Sequence, residues 1–355
     1  MAQNLTVQQR NALFAQATRQ NLQGMAKKVV KSGATTVEFQ IPKARLLSKI
    51  LLEVDVKFKL THAAGTALET DEFTPYRVLR KLALDLNNGW SPFVIGGMEM
   101  AVLNSIRMNS GIVKPQHTNP TGYCYCPEKL QASAEGASNT MRCTVELPLT
   151  LNDRDPMGIF LAQNSETNIE LRVDIASENE MINNADGYSV TVEEITLQPT
   201  CESFSIPAVK EAFPDISVVK LVTSRTQAFP GNGQNVVDLV TGTIYRKLAF
   251  IVEDLDGNPF EDEDFTSNID LLFNSADCNY SIPAKTLRHL NESQFSQALP
   301  KGVYVFDFSY NGISNYGGTR DYIDTEKLTM FQVRFNSQKV GRIRIISENL
   351  ARLIG

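Results

Sequence analysis

The stretch that decides the fold is LLSKILLEVDVKFKL, residues 46–60. From Leu52 to Leu60, apolar residues alternate without a break with glutamate, aspartate and lysine. Because successive side chains of a β-strand point to opposite faces, this period of two predicts a long strand with one buried face. A strand with one buried and one solvated face is typical of an antiparallel sheet.

Further strands are predicted on both sides of this stretch, in two strand-rich halves. They cover residues 35–42, 78–86, 143–151, 168–176 and 188–199, and then 217–229, 243–253, 268–274, 302–309, 328–335 and 341–347. Each half also contains one predicted short helix, at 94–108 and at 283–295. Two antiparallel halves of about 150 residues predict an all-β protein of two β-sandwiches, for which the jelly roll is the natural candidate.

Charge is unevenly distributed along the 355 residues, whose net charge is −6. Residues 1–31 contain no acidic side chain, and their basic residues are Arg10, Arg19, Lys27, Lys28 and Lys31. Against a single Glu348, the basic residues of the segment 339–355 are Lys339, Arg342, Arg344 and Arg352. We therefore expect both basic ends of an otherwise acidic chain to face an anionic or acidic partner.

The N-terminal segment has the signals of a helix. Thr6 and Gln9 have the spacing of a capping box, and Ser32-Gly33 is a stop signal, so a helix is predicted over residues 7–31. Its modest apolar stripe includes Leu13, Phe14 and Leu22. Such a helix suits an anionic membrane surface or an acidic groove, and equally a docking position on its own or a neighbouring subunit.

Two partner classes are not expected. No run of 18 apolar residues is present, so no membrane-spanning helix is predicted. Sequence-specific nucleic-acid binding is not expected either, because Phe14 is the only aromatic residue of the basic N-terminus and the acidic body would repel phosphate.

The motifs of enzymes and of bound cofactors are missing. The three histidines, His62, His117 and His289, have no metal-ligand spacing, and no G-x-S-x-G, P-loop or G-x-G-x-x-G motif occurs. Gly231-Asn232-Gly233 is followed by glutamine and predicts a hairpin turn instead of a phosphate-binding loop. We expect no catalytic activity and no cofactor.

Two segments contain residues of the types that bind metal ions. HTNPTGYCYCPEK (117–129) offers His117, Cys124 and Cys126, but a zinc site would need a fourth ligand such as Cys143, and C-x-C is not the usual C-x₂-C. In EDLDGNPFEDED (253–264), an EF-hand alignment on Gly257 puts Val252 at the first ligand position and Pro259 inside the loop. The first segment is therefore predicted to be a turn-rich loop with buried thiols, and the second a solvated acidic hairpin loop, with no bound metal.

The chain has five scattered cysteines, an odd number, which fits a reducing cytosol.

Three stretches resemble the major capsid proteins of tectiviruses, which are tailless bacterial viruses with a membrane beneath the protein shell. The opening MAQNLTVQQRNALFAQATRQNLQ is similar to that family's glutamine-rich first helix, LPKGVYVFDFS (299–309) to a strand of its second barrel, and FQVRF with NLARLIG (349–355) to its closing segment. Together they cover about a fifth of the chain, whose length is closest to the group infecting Gram-positive bacteria.

The resemblance implies a double jelly roll, that is, two eight-stranded β-sandwiches side by side, with short helices and an N-terminal helix. The implied division is a basic helix or arm at 1–34, a first jelly roll at 35–203, a second at 204–338 and a basic C-terminal arm at 339–355. Homotrimers of pseudo-hexagonal outline would tile an icosahedral shell over an internal membrane. The protein would be found in the virion after assembly in the host cytoplasm.

The partners that this resemblance implies are further copies of the chain, neighbouring capsomers, vertex and minor capsid proteins, and the membrane surface. The predicted membrane and assembly contacts are Arg10, Leu13, Phe14, Arg19, Leu22, Lys27, Lys28, Lys31, Arg342, Arg344 and Arg352. The alternative is a carbohydrate-binding tandem β-sandwich, of the adhesin or tail-spike kind. Such sites expose aromatic rings, and the chain has a single tryptophan, Trp90.

Overall fold

The computed structural model divides the chain into two compact units. Among the described residues, the first comprises the chain up to Lys220 and also Arg352, and the second extends from Leu221 to Ala351. The structure describes residues 5–43, 45–87, 89–108, 110–151, 155–162, 168–274, 277–309 and 322–352. The first four residues of the quoted opening and the last three of NLARLIG therefore lie outside the described residues.

The first unit contains three helices and twelve of the β-strands that the structure describes. The helices are α1 (Val7–Ala17), α2 (Gly97–Arg107) and α3 (Ser110–Val113). The strands are β1 (Gln20–Gly24), β2 (Lys28–Val30), β3 (Thr36–Gln40), β4 (Leu46–His62), β5 (Leu68–Glu69), β6 (Leu79–Leu86), β7 (Trp90–Ile95), β8 (Lys129–Leu130), β9 (Ala137–Pro148), β10 (Phe160–Leu161), β11 (Ile169–Ile175) and β12 (Tyr188–Phe204). Short 3₁₀ turns lie at Thr74–Val78, Asn179–Ile182 and Lys210–Ala212.

The main strands of the first unit form two antiparallel sheets. One has the order β9–β4–β12 and is completed by β1 and β2, which pair with successive parts of β12. The other has the order β3–β11–β6–β7. If β1 and β2 are counted together as the first of eight strands, the two orders by position in the chain are 6-3-8-1 and 2-7-4-5. Helix α2 connects the fifth strand to the sixth.

The second unit repeats this arrangement. Its strands are β13 (Val218–Phe229), β14 (Gly233–Asp238), β15 (Ile244–Asp254), β16 (Ile269–Phe273), β17 (Asp277–Ile282), β18 (Val303–Asp307), β19 (Ile323–Asp324), β20 (Phe331–Ser337) and β21 (Gly341–Arg352), with α4 at Ala284–Phe295 and a 3₁₀ turn at Asp262–Asp264. The orders β18–β15–β21–β13 and β14–β20–β16–β17 again read 6-3-8-1 and 2-7-4-5, without the short β19. Helix α4 again follows the fifth strand. Each unit is an eight-stranded jelly roll.

The alternating pattern of residues 52–60 is confirmed. Leu52, Val54, Val56, Phe58 and Leu60 are each at most 1% exposed, whereas the charged residues between them are half-buried or exposed. Strand β4 lies between β12 and β9, so both of its edges are paired and its apolar face closes the core of the first unit.

The helix predicted over 7–31 is wrong beyond Ala17. Thr18 already has an extended backbone (φ −117°, ψ 159°), and the chain then pairs with β12 as β1 and β2. Pairing with the edge of β12 satisfies the backbone groups of this stretch, whereas a helix with so weak an apolar stripe would have had little to pack against.

The predicted C-terminal arm is also wrong. Within the segment 339–355, residues Gly341–Arg352 form β21, an inner strand between β15 and β13. Ile343 and Ile345 are nearly inaccessible on its core side. The segment is long and alternating, so it behaves as the eighth strand of a sandwich instead of a free arm.

The predicted boundary between residues 203 and 204 lies at Lys220 in the structure. The connecting residues after β12 pack on the first unit, where Ile206, Phe213 and Ile216 contact a cluster around Leu46. The turn at 230–233 is present, but it links β13 to β14, which belong to different sheets, and so it is no hairpin. Gly231 (φ +67°) is needed there, because a Cβ atom would lie 2.5 Å from the Lys339 carbonyl group.

Candidate assembly surface on the N-terminal segment

Helix α1 is a short, capped helix held by one large side chain. The predicted capping box is formed: Thr6 Oγ1 accepts from the Gln9 backbone N–H at 3.2 Å, and Gln9 Oε1 accepts from the Thr6 N–H at 2.9 Å. Phe14 is the buried residue of α1, at 5% exposure. Its ring meets that of Phe204 edge-on, with the ring centroids 5.4 Å apart.

Phe14 belongs to the protein's own core. It packs with Leu46 and Ile159, and Leu13 beside it is half-buried. The predicted role of Phe14 as an apolar anchor for a membrane or a partner is therefore wrong, because its ring already docks α1 on the first unit. Leu22, in contrast, is 65% exposed and remains available for contact.

Residues 19–30 form an edge of the sheet that contains β12. The Arg19 N–H donates to Ser205 Oγ and the Arg19 carbonyl accepts from the Ser205 N–H, both at 2.9 Å. From there Gln20–Gly24 pairs with β12 residues 200–204, and Lys28–Val30 pairs with residues 195–197. The basic segment is therefore pinned along a strand as an extended chain, and its side chains are displayed at the rim of the first unit.

Among the described residues, the cations of this segment have no carboxylate partner. Arg10, Arg19, Lys27 and Lys31 are exposed, and no salt bridge joins them to an acid anywhere in the described residues. Lys28 differs from these residues because its ammonium group has partners within the protein. Its Nζ donates to the Glu38 backbone carbonyl and lies 5.1 Å from the centroid of the Phe39 ring. The N-terminal segment therefore carries uncompensated positive charge.

The C-terminal cations behave differently, because most of them are neutralised within the second unit. Arg342 and Arg344 both place Nε against Glu253 Oε1, the second at 2.8 Å, and Glu253 is only 2% exposed. Lys339 pairs with Asp264 at 2.8 Å. The prediction that Arg342 and Arg344 are free for assembly contacts is therefore wrong, because both are paired with Glu253. Arg352 is exposed.

The acidic segment 253–264 is largely the counterpart of these cations. Besides Glu253 and Asp264, Asp262 pairs with Arg288 at 2.7 Å, and Glu261 pairs with Lys301 at 2.8 Å. Sequence reasoning missed these pairs, since the partners are far apart in the chain. Glu253, for example, meets Arg342 only through the register of β15 with β21.

A pocket of about 350 Å³ lies beneath α1, between the helix and strands β4, β9 and β12. Phe14, Phe204 and Pro148 supply apolar walls, and Lys49 and Glu202 supply charge. Lys49 Nζ lies 3.6 Å from carboxylate oxygens of both Glu202 and Glu146, and Glu202 also accepts from Ser48 and Gln20. Lys49 and Glu202 are thus paired with each other beneath α1.

The cysteine-rich loop has the character of a packed interior. Cys124, Cys126 and Cys143 are all buried, and burial raises the pKa of the Cys124 and Cys126 thiols to about 12. His117 Nδ1 lies 2.8 Å from the Cys126 carbonyl oxygen. In the part of the chain that the structure describes, no three histidine, cysteine or acidic side chains are placed to share a metal ion.

The acidic loop is a turn held by one carboxylate. Asp254 accepts hydrogen bonds from the backbone N–H groups of Asp256 at 3.0 Å and Asn258 at 2.8 Å.

Over the described ranges, none of the helices has the length and hydropathy needed to cross a membrane.

Comparison with solved structures identifies the fold. The chain is similar to the STIV MCP, from the Sulfolobus turreted icosahedral virus, with a TM-score of 0.70 and 13% identity over 94% of this chain and 97% of that one. It is similar to the PBCV-1 virus capsid (TM-score 0.65, 11% identity, 94% of each chain) and to the major capsid protein P2 of bacteriophage PM2 (TM-score 0.53, 10% identity, 94% and 98%). No protein-family model and no curated protein matches the sequence.

These similarities extend over nearly the full length of each pair of chains, so they cover both units. The chain has a double jelly-roll fold with a few helices, as the sequence predicted. At 10–13% identity, the likeness establishes the fold.

Proposed function

We propose that the chain is a structural protein, a major capsid subunit that assembles with copies of itself into an icosahedral virion shell. The observation that carries the proposal is the double jelly roll, shared over nearly its whole length with solved viral capsid proteins. A β-sandwich with fully paired inner strands such as β4 and β21 is a rigid building block, and rigidity is what a shell subunit needs.

The proposed assembly unit is a homotrimer. Each chain contributes two jelly rolls of the same strand order, so three chains supply six similar sandwiches. Closed cyclic symmetry is the usual state of homo-oligomers, and six similar sandwiches around a threefold axis give a capsomer of pseudo-hexagonal outline. Such a capsomer lets one sequence occupy near-sixfold positions in a flat facet.

The tectivirus resemblance extends the proposal to a shell that encloses a lipid membrane, with neighbouring capsomers, vertex and minor capsid proteins as further partners, and with assembly in the host cytoplasm. The N-terminal segment is the proposed site of assembly contacts, since Arg10, Arg19, Lys27 and Lys31 are exposed and unpaired with acids in the described residues. Anionic lipid headgroups or an acidic protein surface would both suit these cations.

Nothing in the structure favours the carbohydrate-binding alternative. Sugars stack on the faces of exposed aromatic rings, and among the described residues the exposed large aromatic side chains are Trp90 at 41% and Tyr322 at 52%.

The proposal is tested by the association state of the purified full-length chain. Size-exclusion chromatography with multi-angle light scattering should give three times the mass of one chain, and concentrated samples should show facet-like arrays in negative-stain electron micrographs. A chain that stays monomeric at every concentration and binds glycans would contradict the proposal and favour the carbohydrate-binding alternative.

A further inference from the structure

The helix between the fifth and sixth strands carries a buried asparagine in each jelly roll. Asn104 of α2 is 1% exposed and Asn291 of α4 is 2% exposed, although asparagine is mostly found at protein surfaces. Each is the eighth residue of its helix. A buried amide is unfavourable unless its donor and its acceptor both have partners, so those partners define what the side chain does.

Asn291 binds both backbone groups of one residue in the sixth strand of the second unit. Its Nδ2 donates to the Val305 carbonyl at 2.8 Å, and its Oδ1 accepts from the Val305 N–H at 2.9 Å. Val305 is the middle residue of β18. The side-chain amide thus exchanges with Val305 the two hydrogen bonds that a residue of a neighbouring antiparallel strand would exchange.

Asn104 repeats this arrangement in the first unit. With its amide oriented so that both of its groups are satisfied, Nδ2 donates to the Glu146 carbonyl and Oδ1 accepts from the Glu146 N–H, both at 2.9 Å. Glu146 lies in β9, the sixth strand of this unit. The two asparagines therefore occupy equivalent places in the two jelly rolls and make the same pair of hydrogen bonds.

Val305 faces the outer edge of its sheet. In the described residues β18 pairs with β15 and with no second strand. The Phe308 N–H donates to the Arg246 carbonyl, just beyond the end of the β18–β15 ladder. Because the hydrogen-bonding direction alternates along a strand, the backbone groups of Val305 point away from β15. Asn291 takes up both of them.

Glu146 faces the outer edge of β9 for the same reason. The Leu149 N–H donates to the Ser48 carbonyl on the β4 side, so the backbone groups of Glu146, three residues earlier, point away from β4. Farther along the same outer edge, the backbone of Arg142 exchanges two hydrogen bonds with that of Tyr125, at 2.8 and 2.9 Å. Loop backbone and the Asn104 side chain together cover this edge.

An open edge of β18 would be a hazard for the protein. An uncovered edge offers N–H and carbonyl groups on which another chain can add a strand, and natural proteins cover such edges. The sequence of β18 begins Val-Tyr-Val-Phe (303–306), a run of high β-propensity without a charge, which favours strand addition. A second copy of the chain carries the same strand, so it is the partner that an open edge would attract.

We propose that Asn104 and Asn291 are edge caps, which close the outer edge of the sixth strand in each jelly roll and keep a second copy of the chain from pairing there. Association between copies is then left to other surfaces. The inference goes beyond the proposed function and does not depend on it, because it concerns the folded chain whether or not that chain forms a shell.

Hydrogen–deuterium exchange of the wild-type chain gives the first test. The reference is Val236 in β14, an end strand of the other sheet of the same unit. The Leu239 N–H donates to the Phe331 carbonyl of β20, so by alternation the Val236 N–H points away from β20. After correction for intrinsic rates, the Val305 N–H should exchange about tenfold or more slowly than the Val236 N–H. Equal rates would overturn the inference.

The second test asks whether loss of a cap opens the edge to another copy or only loosens a helix. Asn104→Ala and Asn291→Ala are made separately in the full-length chain, so that either can serve if the other does not fold. Val333→Ala is the matched control, because Val333 is fully buried in β20, on the sheet that does not contain β18. Circular dichroism and thermal melts establish which variants are folded and how far each is destabilised.

We expect each folded asparagine variant to form thioflavin-positive aggregates about tenfold or more faster than the wild type. Val333→Ala should lose stability without this increase. If the asparagine variants stay as free of such aggregates as the wild type, the two residues only anchor their helices and the inference is wrong. Equal aggregation of Val333→Ala would also overturn it, because destabilisation alone would then account for the effect.

Discussion

Replacing Phe14 with alanine should release helix α1 while both jelly rolls stay folded. Phe14 is the buried residue of α1, and its ring contacts Phe204 edge-on at a centroid distance of 5.4 Å. Burial of a phenylalanine side chain contributes about 1.5–3 kcal/mol, and an edge-on aromatic pair adds about 0.5–1.5 kcal/mol. The substitution thus removes about 2–4.5 kcal/mol of docking free energy.

That loss is large for so short a helix. An isolated helix of 11 residues is at best marginal in water, so α1 persists mainly because it is docked. Since about 1.4 kcal/mol corresponds to a factor of ten, the population of undocked α1 should rise about 30- to 1,600-fold. The capping box at Thr6 remains in the variant but cannot hold the helix without its anchor.

Limited trypsin digestion followed by mass spectrometry measures this population. Cleavage after Arg10 requires the helix to open, and its rate follows the open population when reclosing is fast. The matched control is Val7→Ala, which truncates an α1 side chain that is 43% exposed and should leave the cleavage rate near the wild-type value. Equal cleavage of wild type and Phe14→Ala, or global unfolding of the variant, would refute the view that α1 is an independent, singly anchored element.

Two further predictions concern the second unit and the thiols. Glu253→Gln should lower the unfolding free energy of the second unit by about 1.5–3 kcal/mol, because the nearly inaccessible carboxylate that both Arg342 and Arg344 contact loses its charge. Chemical denaturation measures this, Glu261→Gln at an exposed pair is the control expected to change nothing, and equal stability of the two variants would contradict the reasoning. In native protein a thiol reagent should label Cys278 rapidly and the other four cysteines slowly, since Cys278 is exposed and the rest are buried. Cys278→Ser should abolish the fast phase, and fast labelling that survives this substitution would show that a second thiol is accessible.

The strands could be predicted closely from the sequence, because alternation is a local property of the chain. The prediction of 46–60 became β4 at Leu46–His62, and the prediction of 283–295 became α4 at Ala284–Phe295. In β4 the buried side follows the apolar residues from Leu52 to Leu60 without exception. Whether a strand has one apolar face can be predicted from neighbouring residues alone.

The N-terminal segment shows where local reading fails. Leu22, Met25 and Val29 have helical spacing, and this pattern predicted a helix to residue 31. Residues 20–24 and 28–30 are extended because they pair with the edge of β12, a strand some 180 residues away in sequence. The helix propensity of these residues amounts to only a few tenths of a kcal/mol per residue. The backbone hydrogen bonds along the edge of β12 outweigh it.

The sequence by itself determined the position and the buried face of most main strands, and their division into two strand-rich halves. Only the tertiary structure decided which charges remain free. The basic residues at the two ends looked equivalent in sequence, yet the register of β15 with β21 places Arg342 and Arg344 on Glu253, while Arg19, Lys27 and Lys31 have no acidic partner among the described residues. Charge pairing depends on distances across strands, and those distances exist only after distant segments have paired.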